Sequence, residues 1–164
     1  MNIYILRHGL AEEKGSKKDE DRNLTREGER KMAEIAAAME ALELSFDLLL
    51  SSPYARARQT AEIVARAFGD EKKLQFSENL IPTGLTRRLI EELNRLAPPW
   101  EDVLLVGHEP YLSELISLLV TGDDGFAFTL KKGGLCKLTA QTLKHGPCAS
   151  LEWLLTPKQM SRMA

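Results

Sequence analysis

The chain has 164 residues, is 43% apolar, and sets 22 Lys and Arg against 24 Asp and Glu for a formal net charge of −2. That length fits one domain, residues 1–164, with a full hydrophobic core, and the apolar content excludes a disordered chain. The near balance of charge excludes the electrostatic footprint of a nucleic-acid or anionic-membrane binder, and neither a membrane span nor a cleavable leader is expected.

Residues 2–8 read as a short buried strand running into Arg7-His8-Gly9. The charged run 10–23 reads as a solvated loop. "LTREGERKMAEIAAAMEAL" then reads as a helix capped by Thr25, with Glu27 and Glu29 at its positive end. Met32, Ile35, Ala36, Met39 and Leu42 share one face of it. Gly28, in its first turn, costs helix stability that packing or a ligand must explain. "FDLLLSS" is a second buried strand, after which Ser52 and Pro53 are expected as N-cap and first residue of a helix that Gly69 ends. Ala57, Ala61, Val64 and Phe68 line that helix's apolar face. "KLQFS" is a weaker strand, and "TRRLIEELNRL" a helix stopped by Pro98-Pro99. "DVLLVG" is a strong strand, and "EPYLSELISLLV" a helix with Pro110 in its first turn. "AFTL", "LCKLTA" and "SLEWLL" supply two or three further strands, expected to be antiparallel. Strands alternating with helices imply an α/β fold, three-layer α/β/α, with a mostly parallel central sheet.

Cys136 and Cys148 are the only cysteines. They could face each other across late strands, but two reduced thiols of a cytoplasmic protein is the preferred reading.

In open α/β sheets ligands bind beyond the carboxyl ends of the strands. Three such ends carry chemistry: Arg7-His8-Gly9, Ser51-Ser52 with Arg56 just beyond, and Gly107-His108-Glu109. A neutral imidazole is a nucleophile near neutral pH. Two guanidiniums match phosphate oxygens and keep their charge, and a helix start near Arg56 adds N–H donors. Gly9 leaves room for a ligand at the backbone. The set suits phosphoryl transfer without a metal or other cofactor: His8 attacks, while Arg7, Arg56 and His108 stabilise charge. No third ligand has metal spacing beside the two histidines, and the arginines would repel a cation.

The blocks "LRHG", "SSPYARARQTAE" and "VGHEP" resemble the signatures of the histidine phosphatase superfamily, the phosphoglycerate mutase-like family, and "RNLTREG" is similar to a further block of its small bacterial members. Size and block set most resemble the SixA-type phosphohistidine phosphatases, over roughly residues 2–120. The resemblance implies a phosphoglycerate mutase-like fold. It makes His8 the phosphorylated nucleophile, Arg7 and Arg56 phosphate ligands, His108 the second pocket histidine, and Arg22 a ligand of the phosphate or its leaving group. Arg58, about 200° around the helix from Arg56, points elsewhere.

The resemblance also implies a general acid after the third strand, where Glu78 and Asn79 compete; Glu109 is another candidate, or a helix cap. Glu78 can equally be a surface carboxylate, Arg22 a solvated loop residue, and His145 a turn residue. An imidazole leaving group needs little acid help, whereas an alkyl phosphate needs more. The expected partner is a phosphohistidine-bearing protein, such as a phosphotransfer domain, reached through a mouth that the chain is too short to cap, with inorganic phosphate released. A phosphatase of small phosphomonoesters is the alternative; a mutase or a catalytically inactive phosphate-binding module fits less well.

Overall fold

The computed structural model describes residues 1–96 and 99–163. In chain order the elements are β1 (Asn2–Arg7), α1 (Arg26–Ala41), β2 (Leu48–Ser51), α2 (Ala55–Phe68), β3 (Leu74–Phe76), α3 (Thr86–Arg95), β4 (Asp102–Gly107), α4 (Tyr111–Thr121), β5 (Leu135–Ala140), β6 (Ala149–Leu155) and α5 (Pro157–Met160). The strands form one sheet in the order β3-β2-β4-β1-β5-β6. β1 to β4 run parallel, and β5 and β6 pair antiparallel at one side.

The central strands are apolar on both faces because both faces are covered. Ile3, Ile5, Leu48, Leu50, Val103 and Leu105 pack with Leu89 and Leu93 of α3 and Leu112, Leu115 and Ile116 of α4. The alternate residues Tyr4, Leu6, Leu49, Leu104 and Val106 pack with α1 and α2 on the other side, joined by Met160 of α5. This is the expected three-layer α/β/α arrangement. The edge strand β3 is short and leaves Phe76 47% exposed, in line with its weak pattern.

Local chemistry accounts for most boundaries. Thr25 caps α1 as expected, its hydroxyl accepting from the Gly28 N–H at 3.0 Å. Leu42 is the exception on that helix's apolar face: it lies past the last turn and is 37% exposed. Gly69 ends α2 with a left-handed φ of 66°. Of the three late segments only β5 and β6 are strands. Residues 127–130 form none, and there the Leu130 carbonyl instead accepts from the Arg7 side chain. α5 was not legible as a helix, although its Thr156/Gln159 capping box is a sequence signature. The stop expected at Pro98 lies outside the described residues; α3 ends at Arg95. Cys136 and Cys148 are free thiols, and in the β5–β6 register Cys136 is paired with Leu154, so they do not face each other. Burial pushes the Cys136 thiol up to about 12.

Gly28 is explained by packing. A Cβ there would fall on the Leu10 carbonyl oxygen, which is held in place by the Thr25 N–H at 3.0 Å. Alanine would ordinarily favour a helix by about 1 kcal/mol over glycine. Here the clash with fixed backbone outweighs that gain. Gly28→Ala is therefore expected to destabilise the protein by about 1–3 kcal/mol, read as a lower urea midpoint at unchanged slope; a midpoint at or above wild type would refute the packing account.

Candidate active site

The parallel strands end at one edge of the sheet. β4 lies between β1 and β2, so the residues that follow all three strands become neighbours. The His8 N–H donates to the Gly107 carbonyl at 3.1 Å, and the Ser52 N–H to that of Val106 at 3.0 Å. These bonds continue the ladders past the strand ends. The rings of His8 and His108 consequently lie 5.1 Å apart.

His8 is held in one tautomer. Its Nδ1 lies 2.8 Å from the Gly9 carbonyl oxygen, which can only accept, so the proton is on Nδ1 and Nε2 carries the lone pair. Arg56, in the first turn of α2, is 4% exposed and donates from Nε to that lone pair at 3.3 Å. Burial is the main cause that drives His8 down to about 3; Arg56, Arg7 and Lys132 push the same way, against the bond to Gly9. His108 is driven down to about 2, first by burial and then by His8 and Arg56. Both rings are therefore neutral across the physiological range.

Arg7 donates from Nη1 to the Leu130 carbonyl at 3.0 Å, while its Nε is buried with no partner among the described residues. His108 likewise keeps a buried Nδ1 without a partner, its Nε2 being 2.8 Å from the Ser52 hydroxyl. The site thus holds two unspent hydrogen-bonding groups beside two guanidiniums. Among the described residues no three His, Cys, Asp or Glu side chains cluster as metal ligands.

Arg22 reaches the site's rim through a shared carboxylate. Its Nη1 donates to Asp19 Oδ1 at 2.7 Å, and Arg56 Nη2 donates to Asp19 Oδ2 at 2.9 Å. Burial pushes Asp19 up, but the hydrogen bonds and charges of Arg22 and Arg56 outweigh it and hold the carboxyl below its ordinary value.

The candidate acids are not gathered in. Glu78 is exposed, in a turn after β3, with no hydrogen bond or ion pair to the histidines or arginines above. Asn79 turns to Glu92, donating at 2.7 Å. Glu109 caps α4 through the Ser113 N–H and hydroxyl. Arg58 is exposed and pairs with Glu62, and His145 is exposed in a turn.

Two expectations are corrected and three residues added. Ser52 is not the cap of α2 and Pro53 is not its first residue, because the helix starts at Ala55 with Tyr54 before it; the Ser52 hydroxyl faces His108 and also accepts from the Tyr54 N–H at 3.3 Å. The room left by Gly9 is taken by Met32, whose Cγ would lie 2.6 Å from a Cβ there, so packing rather than a ligand uses it. Tyr54 sets its ring 5.3 Å from that of His108 and 5.6 Å from the Arg56 guanidinium carbon. Ser52 and Tyr54 lie inside a block already singled out, but which way their side chains turn was not readable. Asp19 was hidden in a charged run.

A buried, neutral histidine pair in an arginine cradle, at the carboxyl edge of a mostly parallel α/β sheet, defines a class: α/β proteins built to handle an anionic group. The sequence model of the histidine phosphatase superfamily (branch 1) matches residues 3–83. The phosphohistidine phosphatase SixA homolog of Haemophilus influenzae is 33% identical over 127 residues, covering 73% of this chain and 77% of that protein. An uncharacterized protein of Picosynechococcus sp. is 38% identical over 141 residues, 84% of each chain. A structure of the protein histidine phosphatase SixA complexed with tungstate matches with a TM-score of 0.80 at 24% identity, covering 96% of this chain and 98% of that one. The chain belongs to the histidine phosphatase superfamily, branch 1, as a SixA-like phosphatase with a phosphoglycerate mutase-like fold.

Proposed function

We propose that the protein is a metal-independent phosphatase that removes the phosphoryl group from phosphohistidine in a protein, through a phosphohistidine formed on His8. The observation that carries this reading is the His8 tautomer. Its Nε2 lone pair is set within an arginine cradle, and its proton is committed to the Gly9 carbonyl.

Arg56 turns its Nε from His8 to a phosphoryl oxygen, which frees the lone pair. Nε2 attacks phosphorus in line, and the bond from phosphorus to the substrate's imidazole breaks. With its other ring nitrogen protonated, that imidazole leaves neutral and needs no acid. This agrees with the exposed position of Glu78 and the capping role of Glu109. Water then attacks phosphorus, Nε2 departs, and His8 returns to its Nδ1–H form.

Arg7, Arg56 and His108 hold the transferring group, and Arg22 joins them. The Asp19 carboxylate already bridges Arg22 and Arg56, so one anion can be shared by both. A dianion beside His108 would raise that ring's proton affinity and let it donate. The tungstate named for the SixA structure is a tetrahedral oxyanion, in keeping with such a cradle. The SixA relatives favour a phosphohistidine-bearing protein, such as a phosphotransfer domain, over a small phosphomonoester. Among the described residues no helix is long and apolar enough to cross a membrane. The two free thiols, Cys136 and Cys148, support action in the cytoplasm.

The test is rapid-quench trapping. Mixed with a phosphohistidine-bearing protein labelled on phosphorus, the wild type is expected to take up label that is lost in acid and kept in alkali. Phosphate release without any such label at any quench time would overturn the covalent route.

A further inference from the structure

The 8–25 connection folds back over the site and brings an acidic side chain with it. At its far point the turn Asp19–Asp21 places the Asp19 carboxylate between Arg22 and Arg56. Arg56 Nε goes to His8, Nη2 to Asp19 Oδ2, and Nη1 to the Asp19 carbonyl at 2.6 Å. Every nitrogen of this guanidinium is committed within the protein. The edge of Arg56 formed by Nε and Nη2 is the fork that binds oxyanions side-on. On it, Asp19 Oδ2 takes the place of one oxyanion oxygen.

The loop does not need this contact to stay folded back. Its base is closed by the Ala11–Leu24 bridge, by the Glu12 N–H to the Asn23 carbonyl at 2.9 Å, and by the Glu12 carboxylate, which accepts from the Asn23 N–H and from Lys17. The Asp19 side chain is 41% exposed, so it can turn into solvent while the base holds.

We propose that Asp19 is an internal anion that competes with phosphate for Arg56 and Arg22, and so sets the site's preference for a phosphoprotein over free phosphate. The proposal rests on the reading of these arginines as the phosphate cradle. A ligand must displace the carboxylate before it gains the two guanidiniums. A phosphorylated protein brings further contacts that offset this cost, whereas inorganic phosphate brings none. The carboxylate's return also speeds departure of the product.

The test is calorimetric titration of inorganic phosphate into wild type, Asp19→Asn and Asp19→Ala at fixed pH and ionic strength. Both variants are expected to bind phosphate about tenfold more tightly or better, the scale of one charge-assisted contact freed for the ligand. Equal or weaker binding in both would overturn the proposal and make Asp19 a support that holds the arginines in place. The titration needs no turnover, so a protein inactive on phosphohistidine still answers it. Lack of phosphate binding in all three proteins would sink the cradle reading, and the proposal with it.

Discussion

His8→Ala is expected to lose turnover by about ten-thousandfold or more and to take up no phosphorus label. The reason is specific to one atom. Nε2 is the only site on the ring with a free electron pair, because Nδ1 carries the proton given to Gly9. The second histidine, by contrast, meets the Ser52 hydroxyl through its Nε2. The substitution leaves Arg7 and Arg56 in place, so phosphate binding should survive. That separates loss of the nucleophile from loss of the pocket. Residual turnover within tenfold of wild type would refute the assignment.

Arg56→Ala is expected to cut kcat/KM by about 100- to 1000-fold, the usual effect of removing a preorganised donor to developing charge, and to abolish measurable phosphate binding. Arg56→Lys should not restore activity, because a single ammonium cannot serve both His8 and a forked oxyanion contact. The pH profile adds an independent readout. Burial chiefly holds His8 down, and Arg56 is the first of the charges that add to it. Removing that charge raises the His8 pKa from about 3, and the reactive form is the neutral one. The acid limb of kcat/KM must therefore move to higher pH in Arg56→Ala. An unmoved limb with unchanged kcat/KM would place Arg56 outside the chemistry.

Much of this was legible beforehand because it depends on short-range rules. Apolar runs such as "DVLLVG" name strands covered on both faces, and helix caps such as Thr25 follow from local hydrogen bonding. The strand-end rule then puts Arg7, His8, Arg56 and His108 at one edge, where the structure brings them together. What was not legible depends on the path of loops and the turn of single side chains. Asp19 stands in "KKDEDR", a run of mixed charge (Lys17 to Arg22), and only the folded loop decides which carboxylate meets Arg56. The Ser52 hydroxyl serves two partners, the Tyr54 N–H just before the helix at 3.3 Å and the His108 ring at 2.8 Å, and the sequence named only the helix. Glu78 has acidic chemistry but points to solvent, a fact of three dimensions alone. Gly9 and Gly28 look alike as permissive positions, yet a methionine side chain fills one and a carbonyl abuts the other.

The insertion of β4 between β1 and β2 carries a consequence for synthesis on the ribosome. The two strands that emerge first share no hydrogen bonds with each other in the finished sheet; each pairs with residues 102–107. Until those residues leave the exit tunnel, β1 and β2 have apolar edges with no native partner between them. Such edges are templates for mispairing with other chains. The same late strand delivers His108, so a nascent chain cannot complete the histidine pair before its sheet is closed at the centre.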